Sequence, residues 1–165
     1  MITQGFELAL RLYSFPFPVV IAVTGSAIAM GVFIVLAGDY RIGREGPFKI
    51  CANEVAIGLT MSPFLISLAK ERISPAFFHR AMIFAEAFNP LNAEKAGFLD
   101  EVVVAKSGES IARQEDVIER AKEKAIEMMT TLSLEAFAAT KLRGRDVEKL
   151  RNLLILDDQD LKSKL

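Results

Sequence analysis

From Leu12 to Gly38 the chain runs 27 residues without a charged side chain. A stretch of that length either crosses a bilayer as a helix or lies buried inside a fold, away from water in both cases. Its internal order favours burial. Pro16 and Pro18 stand near its start and forbid helix continuation. Four of the next five residues, Val19 to Val23, are β-branched, as in a strand covered on both faces. Thr24, Gly25 and Ser26 then read as a turn, and Ala27 to Ala37 as a buried helix. A spanning helix would also want aromatic belts and Lys/Arg biased to one flank. Here Arg11 lies on one side, Arg41 and Arg44 on the other, with acids among them. Gly and Pro are nonetheless tolerated in membrane helices. On the residues alone both readings stand, with strand, turn and helix the stronger.

Composition narrows the class further. A length of 165 residues fits one domain with its own core, and 52% hydrophobic residues is too apolar for a disordered chain. A net charge of -1 gives no global attraction to nucleic acid or anionic membrane. One Cys excludes an internal disulfide framework, and one Cys with one His excludes a zinc site built from them. The simplest compartment is therefore reducing, and the expected location cytoplasmic. More than half of the charges, 24 of them, fall after residue 105, which marks that region as solvated.

Element signals follow in order. Thr3 to Ser14 places Phe6, Ala9, Leu10 and Tyr13 on one helical face. Asp39 to Gly43 is extended, 44–47 is a turn cluster and Phe48 to Cys51 is a strand. Ser62-Pro63 and Ser74-Pro75 each supply an N-cap followed by Pro at the first helical position. Asn92 is the expected cap of a short helix closing at Gly97, and Phe98 to Val104 reads as a strand. Ile111, Ile118, Ala121, Ala125, Met128 and Leu132 recur at steps of 7, 3, 4, 3 and 4, giving a long amphipathic helix. Ser133 caps the next helix, and Arg145 to Lys164 forms a last one.

Few residues announce chemistry. Neither a Walker-type loop nor GxGxxG occurs. A Cys51–His79 dyad lacks a third, orienting group, so Cys51 reads as a buried side chain and His79 as a surface one. Met128, Met129, Phe77, Phe78 and Phe84 fit core spacing, and Asp157 to Asp160 lacks the pattern of a calcium loop and reads as a solvated helix face. Glu54 differs. It lies between apolar pieces, where a carboxyl pKa rises toward neutrality and suits proton transfer. A helix beginning near Ser26 to Met30 would expose unpaired N–H groups to a developing oxyanion. Taken blind, a Glu in that position is still more often a surface residue.

Three stretches change that balance: Pro18 to Gly43, Phe48 to Pro63 and Asn92 to Val103. In order and spacing they resemble the enoyl-CoA hydratase/isomerase (crotonase) family, whose pattern is a strand, a Gly-x-Ala-x-Gly-Gly-Gly turn into a helix, and later a Glu with Gly four residues on. Here Gly25, Ala27, Ala29, Met30 and Gly31 follow the first element, and Glu54 with Gly58 the second. The resemblance implies an α/β, crotonase-like spiral of short strands and helices, with a partial core over 1–104 and a helical oligomerisation region over 105–165.

It also implies chemistry on acyl-CoA thioesters, with coenzyme A part of the substrate and no separate cofactor or metal. The backbone N–H of Met30 would be one oxyanion donor, Gly25, Ala29, Gly31 and Phe33 would line the substrate, and Glu54 would be the acid/base. The hydratase's first catalytic Glu falls on Phe33, so the implied reaction is double-bond isomerisation rather than hydration. The family's first oxyanion N–H and adenine loop have no counterpart before Phe15, so the chain looks like the carboxy-terminal portion of a crotonase. The alternative is a truncated or degenerate homologue with a structural or oligomerising role. The implied partners are an acyl-CoA and copies of the chain itself, as a trimer or dimer of trimers, with no nucleic acid and no membrane span.

Overall fold

The computed structural model describes residues 2–163, and the side chains of residues 4–157. The uncharged stretch divides into short elements, as its prolines and glycines require. Helix α1 (Ile2–Ser14) ends at the two prolines, and strand β1 (Val20–Ala22) follows. Next come β2 (Ala27–Ile28), α2 (Met30–Ala37) and β3 (Tyr40–Arg44). The expected helix over Ala27 to Ala37 is thus corrected at its start. Ala27 and Ile28 pair as a strand with β4 (Ile50–Cys51), and the helix begins only at Met30. A propensity argument cannot see this, because the pairing partner lies more than twenty residues away.

Two parallel sheets result. One has the order β1-β3-β5, where β5 is Glu101–Val103, and the other is β2-β4. Parallel strands are normally covered on both faces. In the first sheet Ile42 is fully buried and packs with Val117 and Ala121 of α6 (Gln114–Thr131), the helix foreseen from its apolar spacing. The larger core gathers Phe6, Ala9, Leu10 and Tyr13 of α1 with Val32, Phe33 and Leu36 of α2. Phe64 and Leu68 of α3 (Pro63–Lys70) join them, as does Leu150 of α8 (Val147–Ser163). The apolar face of α1 read from the sequence is therefore the buried face. No helix among the described residues is long and apolar enough to cross a membrane.

Other caps differ in detail. Ser62 accepts from Leu65 N–H at 3.2 Å and caps α3 as expected. Ser74 makes no such bond, and α4 (Pro75–Phe78) passes at once into a π-helical turn over His79–Ile83. The helix α5 (Pro90–Ala96) is capped by Asn89, not Asn92. Asn89 Oδ1 accepts from Asn92 N–H at 2.9 Å, with Pro90 in the first turn. Ser133 caps α7 (Leu134–Gly144), whereas the last helix starts at Val147, two residues later than expected. The end of that helix beyond Ser163, and the side chains of 158–160, lie outside the described residues.

Two charged anchors hold these layers together. Arg41, 4% exposed, grips Asp100 through two bonds of 2.7 Å and donates to Gly97 O at 2.7 Å, tying β3 to the end of α5. Asp39, between α2 and β3, accepts from Lys141 of α7 and forms an ion pair with Arg145, each at 2.7 Å. Gly97 itself has φ +90°, and a Cβ there would meet Arg72 O at 2.5 Å. Gly97→Ala is thus expected to destabilise the protein by about 1–3 kcal/mol, read as a lowered Tm. An unchanged Tm would mean the α5 terminus adjusts without cost.

Candidate active site

Strands β2 and β4 run side by side, with Ile28 opposite Cys51 and Ala29 N–H donating to Cys51 O at 3.0 Å. Both lead out at the same end of their sheet. From β2 the chain enters α2 at Met30, and three residues beyond Cys51 it reaches Glu54. The structure thereby brings the two principal sequence candidates to the carboxyl ends of paired parallel strands, where α/β folds commonly hold ligands.

The turn before α2 is strained. Ala29 has φ 52°, ψ -130°, a conformation natural to Gly and costly for a residue with a Cβ. The strain directs the start of α2. Val32 N–H turns back to Ala29 O at 3.0 Å, while Met30 and Gly31 N–H have no acceptor among the described residues. Met30's side chain packs across α1, where a Cβ on Gly5 would lie 2.9 Å from its Cγ. The close approach of Gly5 and Met30 fixes the turn against the first helix. Because the Ala29 conformation suits Gly, Ala29→Gly is expected to raise stability by about 1 kcal/mol, net of the extra chain entropy. Thermal melts of the two proteins check it, and a lower Tm for the Gly variant would contradict the strain.

Glu54 is 9% exposed, and its Oε2 is buried without a hydrogen-bond partner among the described residues. Burial pushes its carboxyl pKa up, only partly offset by its own backbone N–H. The chain turns sharply beneath it through a 3₁₀ segment over Val55–Ile57, with Ile57 and Leu59 N–H both donating to Glu54 O and Gly58 in the left-handed region at φ +80°. That glycine, four residues after Glu54, allows the carboxylate to be held at a strand end and not carried away on a long helix.

The remaining candidates are distributed unevenly. Gly25 lies in the bend before β2 and Gly31 in the first turn of α2, both with open space where a side chain would be. Ala29 carries the strain described above. Phe33 is fully buried in the main core and has no exposed surface with which to touch a ligand. Cys51 is buried, its thiol donating to Ala85 O at 3.3 Å and its pKa raised by burial and by Glu54. Neither its hydrogen bond nor the charges that shift its pKa involve His79. One residue escaped the sequence reading. Asn53, beside Glu54, has a buried Oδ1 without a partner among the described residues. Nothing in its local pattern distinguishes it from an ordinary turn asparagine. No group of three or more His, Cys, Asp or Glu suited to a metal occurs among the described residues.

Short parallel strands wound with buried helices, an N–H turn at one strand end and a buried Glu at the neighbouring one together define a crotonase-type α/β fold. The chain belongs to the enoyl-CoA hydratase/isomerase family, whose profile matches residues 2–156. It is 40% identical to an enoyl-CoA hydratase from Mycobacterium ulcerans, with a TM-score of 0.82 over 93% of this chain and 64% of that one. An enoyl-CoA isomerase from Mycobacterium tuberculosis gives the same identity, TM-score and coverage. The mitochondrial enoyl-CoA delta isomerase 1 of Mus musculus is 32% identical over 65% of this chain and 37% of its own length. The chain thus spans just under two thirds of those solved structures and little more than a third of the mouse protein.

Proposed function

We propose that this chain contributes the acid/base and one oxyanion donor of an enoyl-CoA isomerase. Overall similarity does not choose between isomerase and hydratase, since the same Mycobacterium tuberculosis protein is described both as a probable enoyl-CoA hydratase and as an enoyl-CoA isomerase. The choice rests on the residues. Water addition across a double bond calls for a base to activate water and an acid to protonate carbon, most simply two carboxyl groups. At the position resembling the hydratase's first catalytic Glu stands Phe33, apolar and fully buried. Glu54 alone remains at the strand ends, desolvated, with its Oε2 lacking a hydrogen-bond partner among the described residues. That single carboxylate with an unpartnered oxygen is the observation that carries the reading.

One carboxylate is sufficient for isomerisation. Ionised Glu54 removes a proton from C2 of a 3-enoyl thioester, and the electron pair moves into the conjugated system as the thioester oxygen gains charge. The Met30 N–H stabilises that oxygen, aided by the N-terminal end of α2. Protonated Glu54 then returns the proton at C4, giving the 2-enoyl thioester and restoring the carboxylate. Proton and charge balance with no added water. The exposed Ile28, Val55, Ile57 and Leu59 around the strand ends supply apolar surface for an acyl chain. Ile126 and Met129, exposed on α6, fit the self-association that the family resemblance implies.

The deciding assay supplies the assembled protein with a 3-enoyl-CoA and, separately, a 2-enoyl-CoA. Double-bond migration is expected to exceed hydration by at least tenfold in kcat/KM. Faster hydration would overturn the assignment. Acyl-CoA binding with neither reaction would favour a non-catalytic crotonase homologue.

A further inference from the structure

Strand β4 has a second neighbour besides β2. Phe88 pairs antiparallel with Ile50, N–H to O in both directions at 2.9 and 3.0 Å, and the Cys51 thiol donates to Ala85 O at 3.3 Å. The segment before Phe88 therefore lies beside the end of β4 that leads to Glu54. Burial and the charge of Glu54 raise the Cys51 pKa, so the carboxylate is within electrostatic reach of the same strand end. The segment has an uncommon shape. It leaves the π-helical turn with Phe84 N–H donating to His79 O at 3.0 Å, and Ala85 follows at φ 50°. Both features cost free energy and cluster at functional sites. Arg80 straps the loop, donating to the Glu86 carboxylate at 2.6 and 2.7 Å while lying over the Phe77 and Phe88 rings. What this shape displays is apolar. Ile83 is 46% exposed and Phe84 71%, more than any other large apolar side chain among the described residues. A strained backbone thus keeps in water two side chains that burial would stabilise.

We propose that Phe84, with Ile83, contacts the distal hydrocarbon tail of the acyl-CoA, so that Phe84 selects for long-chain thioesters. The occupant follows from the chemistry beside it. A thioester whose C2 and C4 meet Glu54 must carry its remaining carbons away from that carboxylate. Val55, Ile57 and Leu59 offer apolar surface just after Glu54, and Ile83 and Phe84 offer it across the end of β4. A butanoyl chain ends at C4, whereas a dodecanoyl chain extends well past it, so only the longer one reaches Phe84. The inference rests on Glu54 as the place where acyl-CoA binds, but not on which reaction follows.

The test measures binding of butanoyl-CoA and dodecanoyl-CoA to the assembled protein by calorimetry, below the micellar concentration of the longer thioester. Neither has a double bond to move, so affinity is read apart from turnover. Dodecanoyl-CoA is expected to bind roughly tenfold more tightly, and Phe84→Ala to cut that ratio about fivefold while leaving butanoyl-CoA nearly unchanged. Leu142→Ala, which removes an exposed apolar side chain from α7, should leave the ratio as it was. No binding of dodecanoyl-CoA, equal affinity for the two thioesters, or a ratio that Phe84→Ala preserves would overturn the proposal. So would an equal effect of Leu142→Ala, or a change of oligomeric state in Phe84→Ala by sedimentation, which would assign Phe84 to an interface between copies. Should Phe84→Ala not fold, Ile83→Ala and the ratio in the unaltered protein decide the matter. A chain-length preference without double-bond migration in a 3-enoyl-CoA would overturn the isomerase reading alone, and migration without the preference would overturn this inference alone.

Discussion

Glu54→Gln is expected to lower kcat for 3-enoyl-CoA isomerisation by about 10²–10⁴-fold with little change in KM. The amide keeps the shape and hydrogen-bonding capacity of the carboxyl but cannot take a proton from C2. The pH dependence provides an independent readout. Burial raises the Glu54 pKa, and the ionised form is the base. Activity should therefore fall as pH drops through that raised pKa, and this acidic limb should vanish in the residual activity of the Gln variant. Stability should move the other way. A carboxyl whose folded pKa lies above its unfolded value favours folding when protonated, and that contribution is lost as pH rises through the folded pKa. Above that point Glu54→Gln should be at least as stable as the unaltered protein, because it removes a buried charge with an unpartnered oxygen. Activity within tenfold of the original would remove Glu54 from the reaction.

The sequence carried the polarity of this architecture more fully than its pairing. The apolar face of α1, the buried side chains of α2 and the outward charges of α6 are recorded by each segment itself. The strand expected to be covered on both faces, Val20–Ala22, is by contrast only half-buried, and Ile28 is exposed. The strand at Ala27–Ile28 is not recorded locally, because a two-residue strand is defined by its partner at Ile50–Cys51. The shift of the α5 cap from Asn92 to Asn89 has a similar cause. Both are asparagines, but only Asn89 is followed by Pro90, and that proline fixes the first turn. For the site, Glu54 was legible as a carboxylate among apolar residues, and Met30 only through the family pattern. The strain at Ala29 is a dihedral property and leaves no local trace in composition. Asp39 looked like the first residue of an extended piece, and its three partners, 20 to 106 positions away, emerge only in the folded chain.

Those partners make Asp39 the residue whose loss should cost the fold most. Its side chain is 7% exposed, and its partners Lys141 and Arg145 are 3% and 11% exposed. Burial disfavours the charged form of Lys141 and pushes its pKa down, against the upward pull of Asp39 itself. Such a cluster adds little relative to apolar packing while intact, but removing one partner leaves the opposite charges desolvated and unmatched. Asp39→Ala strands two cations and also the Val19 N–H at the entry to β1. A cost of about 3–5 kcal/mol follows, which for a chain of this size lowers Tm by roughly 10 °C. Asp39→Asn should lose less, because its amide oxygen can still accept from one of the three donors. The exposed Arg80–Glu86 pair supplies the contrast. Its bonds are as short, 2.6 and 2.7 Å, yet its side chains are 52% and 37% exposed, so Glu86→Ala should leave Tm nearly unchanged. Burial, not bond length, then decides the magnitude. Hydrogen exchange would locate the damage, with protection lost first in α7, whose hold on the core runs through Lys141. Equal, small effects at Asp39 and Glu86 would show that the cluster is solvated and that apolar contacts alone anchor the terminal helices.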